Sequence, residues 1–173
     1  LGKIWRFSGG MMGISVLSLL LTQLDKLLLS RLVNLDVFGY YTLAATVAAA
    51  IYMAIGPITQ AVYPRLVQLY ASRSRSDLVS LYHDSAQFVT VITAPALILL
   101  SMHSESVIFV WSGNMELAHN AGPLLSILSV GAFLNGLMHM PYQLQLSHGW
   151  VNFALRVNII AVACMAPAII WSV

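Results

Sequence analysis

Five apolar stretches, each long enough to cross a bilayer as a helix and separated only by short polar connections, dominate the sequence. They cover residues 7–32, 37–69, 77–102, 117–146 and 150–173. A helix needs about 20 predominantly apolar residues to span the hydrocarbon, where every backbone polar group must be satisfied within the chain. A transmembrane barrel would need alternating segments of about 10 residues, and runs such as Leu27-Leu28-Leu29 and Ala48-Ala49-Ala50 do not alternate. The pattern therefore predicts an all-α, polytopic membrane helix bundle of about five transmembrane helices. Composition agrees: 59% of the residues are hydrophobic and 8% charged, against roughly 25% charged in a soluble domain. A net charge of +2 is too small to suggest a nucleic-acid partner, and Cys164 sits alone in an apolar run, which leaves no disulfide framework and no cysteine metal site. The chain opens on Leu1 and ends at Val173 within an apolar stretch, so it reads as a piece of a longer polypeptide. No cleavable signal peptide is visible, because the first apolar run is too long and lacks a small-residue cleavage site.

Charge sorts the connections by side. Lys3 and Arg6 precede the first span, Arg65, Arg73 and Arg75 lie between the second and third, and Arg156 follows the fourth connection. The opposite side holds Asp36, Glu105 and Glu116, with Lys26 and Arg31 as basic exceptions near it. The positive-inside rule then makes the Arg-rich side cytoplasmic, with the first residue inside and the last outside. Ser72-Arg73-Ser74-Arg75-Ser76 reads as an orientation signal and a contact for lipid headgroups. Trp5, Trp111 and Trp150 fall near span ends, as aromatic interface anchors do.

Polar side chains inside the spans carry the functional information. The first span holds Asp25, Lys26 and Arg31, each costing roughly 2.5–3.5 kcal/mol at the bilayer centre. Nine leucines between Leu17 and Leu32 return about 0.3–0.6 kcal/mol apiece, roughly half of that cost, so this helix cannot face lipid all round. Ser15, Ser18, Thr22, Asp25 or Lys26, and Ser30 recur at steps of three and four, which stacks them on one stripe. Two readings stand: a structural ion pair of Asp25 with Lys26 or a neighbouring helix, or a stripe that lines a wet pathway, the usual role of intramembrane ionisable groups. The second span is too long for one straight crossing and carries Gly56-Pro57 at its middle and Pro64 toward its inner end, so a bend or partial unwinding is expected there. Thr42, Thr46, Gly56, Gln60 and Tyr63 share one face with that break. Discontinuous helices lining a central cavity are a transporter device, and a purely structural kink is the alternative.

The remaining signals are weaker. Gln87, Thr90, Thr93 and Pro95 make a modest polar face in the third span, and His83-Asp84 near its cytoplasmic end reads as solvated. Asn135, His139 and Tyr142 share a face of the fourth span, with Pro141, Gln143 and Gln145 nearby. A lone His there is a packed, hydrogen-bonded residue or, more sharply, part of a proton relay. In the fifth span Arg156 lies about 9 Å beyond Trp150 at 1.5 Å per residue, placed to snorkel to the cytoplasmic surface or to meet a phosphate from within a vestibule. There is no nucleotide-binding glycine loop, no His-Glu-x-x-His, no nucleophile elbow and no paired carboxylates on one loop, and the connection at residues 102–116 is too short to fold a catalytic domain. The expectation is a protein that is not an enzyme and needs no metal or cofactor.

Gln23-Leu24-Asp25-Lys26 before Leu27-Leu28-Leu29-Ser30, then Val37-Phe38-Gly39-Tyr40-Tyr41, Pro57 and Tyr63-Pro64-Arg65 resemble the polysaccharide-biosynthesis flippases of the multidrug, oligosaccharidyl-lipid and polysaccharide exporter superfamily. Gln145-Leu146-Ser147-His148-Gly149 leading to Arg156-Val157-Asn158 is similar to that family's cytoplasmic turn and following helix, less distinctively. The resemblance implies a two-lobed, MATE-like transporter around a cationic cavity, of which this chain would be a single membrane domain forming most of the second lobe, with the N-terminal lobe missing. It implies export of a polyprenyl-diphosphate-linked oligosaccharide for O-antigen or other cell-surface polysaccharide across a bacterial inner membrane, with coupling to a proton or sodium ion and polysaccharide polymerase machinery as a partner. Gln23, Asp25, Lys26, Arg31, Gln60, Asn135, His139 and Arg156 are then the candidate substrate-pathway residues, Asp25 the first candidate for ion coupling, and Gly56, Pro57 and Pro64 the candidate hinge. A cation-coupled multidrug antiporter of the same superfamily would want a more acidic, aromatic cavity. A glycan polymerase or ligase would need a long outward loop with catalytic residues, and a non-transporting scaffold would leave the polar stripes packed and dry.

Overall fold

The computed structural model describes residues 33–150 throughout and, outside them, Met12, Gly13, Ser15, Val16, Leu19, Gln23, Lys26, residues 29–31, Phe153, Arg156, Val157, Ile159 and Ile160. The described residues of 12–31 and 153–160 are helical. Asp25, Cys164 and most of the first and fifth predicted spans lie outside the described residues. Six helices follow in order: α1 (Leu35–Ala48), α2 (Ala50–Ala71), α3 (Arg75–Met102), α4 (Ser104–Ser112), α5 (Met115–Leu137) and α6 (His139–Ser147). Among the described residues there is no strand.

Among the described residues three helical stretches are long and apolar enough to cross a membrane: Leu35–Ala71 with 37 residues, Arg75–Met102 with 28 and Met115–Ser147 with 33. They coincide with the predicted second, third and fourth spans. The first is α1 and α2 in series. At 1.5 Å per residue it extends about 55 Å, more than the roughly 30 Å of hydrocarbon, so it must tilt or project. The connection between the third and fourth spans is itself mostly helix, α4, entered through the single residue His103. Gly113 closes α4 with φ 65°, a left-handed conformation that glycine adopts without Cβ strain, and Asn114 opens α5 by accepting hydrogen bonds from Glu116 N (2.8 Å) and Leu117 N (3.2 Å).

The chain divides into two compact units, one of residues 1–38 with 148–173 and one of residues 39–147. In the second unit α2 to α6 build a core that includes Ile51, Ile55, Val89, Leu100, Ile108, Leu125 and Met140. A smaller cluster of Leu66, Leu69 and Leu78, joined by Leu81 and Leu144, closes the end where α2 turns into α3. Burial follows helical steps of three and four, as on α5, where Ala118, Gly122, Leu125, Ser129, Ala132 and Gly136 form the inner stripe. Small residues suit that position, because helices in lipid associate by close packing and not by a hydrophobic difference from their solvent. Buried hydroxyls are satisfied within their own helices: Thr93 Oγ1 donates to the Val89 carbonyl (2.7 Å), Ser85 Oγ to that of Leu81 (2.7 Å) and Ser129 Oγ to that of Ser126 (2.9 Å). Ser126 Oγ reaches across from α5 to the Ser101 carbonyl of α3 at 3.0 Å.

Proline acts differently in two places. Pro141 has no N–H for the Leu137 carbonyl, and the helix is interrupted one turn before it, at Met138, whose own N–H bonds the Asn135 carbonyl (3.0 Å). Pro57 and Pro64 instead lie inside α2, which stays helical through both. Seven residues apart, they share the exposed outer face. The interruption in this long stretch falls at Ala49, where Tyr52 N bonds the Ala49 carbonyl (3.0 Å) in the tighter three-residue pattern.

Candidate functional site

The polar groups of the second unit separate into two sets. Hydroxyls such as those of Thr93 and Ser129 bond back to their own helices and that of Ser126 crosses to α3, whereas the amides of Gln60 and Asn135 stay exposed on largely apolar helices. Gln60 lies on the flank of α2, between Tyr52 and Tyr63 along the axis. Gln60 stands four residues from both Gly56 and Pro64 and three from Pro57, so it shares a face of α2 with all three, at the border between the Tyr52 and Tyr63 side and the exposed prolines.

Opposite it stand α6 and the end of α5. The rings of Tyr52 on α2 and His139 on α6 have centroids 5.9 Å apart, tilted by 40°. Further along the same pair of helices Tyr142 lies within electrostatic reach of Tyr63. All four rings are half-buried. His139 is held from below as well, its Nδ1 lying 3.1 Å from the Asn135 carbonyl. That carbonyl also accepts the Met138 N–H, an arrangement opened by the proline two residues beyond His139. The backbone of Gly136 meets Ile55 closely, since a Cβ there would stand 2.6 Å from Ile55 Cδ1, and this approach brings α5 onto α2 beside the Tyr52–His139 pair. The result is a seam of two tyrosines on one helix and a histidine and a tyrosine on another, with the Asn135 and Gln60 amides open at its edges. Flat rings with hydroxyl and imidazole edges offer stacking faces and hydrogen bonds to a polyhydroxylated ligand.

The predicted site residues divide between the two units. Gln60, Asn135 and His139 belong to the second, together with Gly56, Pro57 and Pro64; Gln23, Lys26, Arg31 and Arg156 belong to the first, where all four are helical and exposed. Lys26 and Arg31 follow Gln23 at steps of three and five, so Lys26 shares Gln23's face and Arg31 lies off it. Tyr52 does not stand out in the sequence. A tyrosine in an apolar span is ordinary packing, and the signal that could have marked it is its spacing of eleven residues from Tyr63, three helical turns on one face. Among the described residues no group of three or more His, Cys, Asp or Glu side chains could hold a metal ion.

Three apolar helical spans among the described residues make this a multi-pass membrane protein. The chain belongs to the family of polysaccharide biosynthesis proteins, which matches residues 1–115, well over half of its length. The matched region takes in α1 to α4 and, with them, Gln23, Asp25, Lys26, Arg31, Gln60 and the three candidate hinge residues. A protein of Shigella flexneri named "Putative O-antigen transporter" is 25% identical over 138 residues, which are 79% of this chain and 32% of that protein. The chain thus spans about a third of the length of the relative it matches. No solved structure matches it.

Proposed function

We propose that this chain is part of a flippase that moves a polyprenyl-diphosphate-linked oligosaccharide from the cytoplasmic to the outer leaflet of a bacterial inner membrane by alternating access. The observation that carries the proposal is the exposure of Gln60 and Asn135, beside a tyrosine–histidine seam, on helices of a polysaccharide biosynthesis family member. An amide facing acyl chains has no partner, so side chains of this kind in a span belong against a hydrated route or a polar cargo. In this reading residues 1–173 are a single membrane domain, most of the second of two lobes, with the first residue cytoplasmic and the other lobe supplied by the same polypeptide. The prenyl tail stays in lipid while the sugars pass along the seam, and Lys26, Arg31 and Arg156 meet the diphosphate. Gly56 and Pro57 serve as the flexing point, and a proton or sodium gradient drives the cycle. The basic residues favour this anionic cargo over the cationic drugs of a multidrug antiporter.

The test is expression of the full-length protein in a strain lacking its own flippase. Surface polysaccharide is expected to return, with drug susceptibility unchanged. Gln60→Leu and Asn135→Leu are each expected to cut export about fivefold, the equivalent of ~1 kcal/mol of lost hydrogen bonding, at unchanged abundance in the membrane. Drug resistance without polysaccharide would point to the antiporter instead.

A further inference from the structure

The tight turn between α2 and α3 holds an arginine where the backbone asks for glycine. Ser72 caps α2, Arg73 takes φ 57°, Arg73 N bonds the Tyr70 carbonyl (3.2 Å) and Ser74 N bonds the Leu69 carbonyl (3.2 Å). These bonds are the two of the Schellman motif, whose left-handed position is most often glycine because a Cβ is strained there. Arg73 is also the one non-glycine residue with positive φ among the described residues. The helix dipole does not explain it. A cation near the last carbonyls of α2 is favourable wherever it sits in that turn, and Arg75 supplies one two residues later from an unstrained backbone.

The guanidiniums of Arg73 and Arg75 are exposed, and among the described residues neither meets an acceptor, whereas Arg65 donates to Gln68 Oε1 at 3.1 Å. Asp77 does not neutralise them; its carboxylate accepts from Ser74 Oγ (2.6 Å) and Ser76 Oγ (3.4 Å) in the first turn of α3. That carboxylate also occupies the start of α3, so an anion here would be met by the arginines and not by the helix N-terminus. The turn joins two candidate membrane spans, Leu35–Ala71 and Arg75–Met102, across three residues, which sets it at the membrane surface. We infer that Arg73 and Arg75 form a binding site for the phosphate of an anionic bilayer lipid, one whose headgroup carries a net negative charge. Arg73 tolerates a strained backbone because its side chain makes that contact. The site is independent of whatever the protein transports.

The experiment uses the full-length protein in detergent, titrated with dioctanoyl phosphatidylglycerol, dioctanoyl phosphatidylcholine or inorganic phosphate, with thermal unfolding as the readout. Phosphatidylglycerol is expected to raise the melting temperature by ordinary ligand linkage, and phosphatidylcholine is expected not to. Arg73→Gly, without lipid, should melt no lower than the parent protein, since it relieves the turn, yet bind phosphatidylglycerol about fivefold more weakly. Arg75→Gln should show a similar loss, and Arg73→Lys, which keeps the charge, should retain most of the affinity. Undiminished lipid affinity in Arg73→Gly would overturn the inference. So would a lower melting temperature in that variant without lipid, which would make the side chain a prop for the turn. Inorganic phosphate binding as tightly as the lipid would assign the site to free phosphate instead.

Discussion

Gly122 and Gly136 are both buried on the inner stripe of α5, yet an added methyl group would meet different neighbours at the two places. At Gly122 a Cβ would stand 2.5 Å from Glu105 Cγ, 3.2 Å from its Cα and 3.3 Å from its N, so the obstacle includes the backbone of α4. At Gly136 the obstacle is Ile55 Cδ1, the mobile end of a side chain, at 2.6 Å. Gly122→Ala is therefore expected to destabilise the protein by about 1–3 kcal/mol, because α4 must move off α5, and Gly136→Ala by less than about 1.5 kcal/mol, because Ile55 can change rotamer. Thermal unfolding of the two full-length variants in one detergent checks this, and equal melting temperatures would contradict it. Glu105 itself stays exposed at this contact, 3.6 Å from His119 Nδ1 across the α4–α5 corner, an arrangement that adds little because both groups are open to solvent.

Whole helices respond to proline according to which side of the bundle it occupies. Pro141 lies between His139 and Tyr142 and breaks the register just where those rings face α2, whereas Pro57 lies on the outer face of a helix that continues past it. Pro141→Ala restores an N–H for the Leu137 carbonyl and should fuse α5 with α6, turning His139 and Tyr142 away from Tyr52 and Tyr63. Export should fall while melting temperature does not. Pro57→Ala should slow export too, but by stiffening α2 with the seam unchanged. Spin-label distances between α2 and α6 separate the two cases: they shift in Pro141→Ala and stay in Pro57→Ala. Unchanged flux at unchanged abundance in Pro57→Ala would remove the flexing role. At this scale much was legible in advance. The three long spans coincide with the predicted 37–69, 77–102 and 117–146, because bilayer thickness sets their length and a run of apolar residues reports it directly. The helix α4 was not legible, since its nine residues read as a connection and are held by contact with Gly122, a partner in the next element. The break at Met138, one turn before Pro141, falls inside a stretch that reads as one continuous span, and that Pro57 leaves α2 helical where a bend is expected depends on which face points outward, a property of packing. Gln60, Asn135 and His139 stood out as polar groups in apolar runs, while Tyr52 became recognisable only where the fold sets it against His139.

Across the whole chain charge is scarce, with eight Lys or Arg and six Asp or Glu in 173 residues, and three of these fourteen fall together in the first predicted span as Asp25, Lys26 and Arg31. The structure describes Lys26 and Arg31 as helical and exposed within the first unit. An ion pair kept for stability and a pair serving a transport route make different demands on the same two residues. Removing one partner of a structural pair inside the membrane strands the other charge, at about 3–5 kcal/mol, and removing both is tolerated. On the structural reading Asp25→Asn and Lys26→Ala each lower the amount of protein in the membrane, and the double variant recovers both abundance and export. On the transport reading each single variant keeps its abundance and loses surface polysaccharide, and the double variant is no better than either, because a missing charge in the route is not replaced by removing its neighbour. We expect the second pattern in the full-length protein. Quantifying membrane-embedded protein and surface glycan side by side in the three strains decides it, and recovery in the double variant would return these two residues to the frame of the fold.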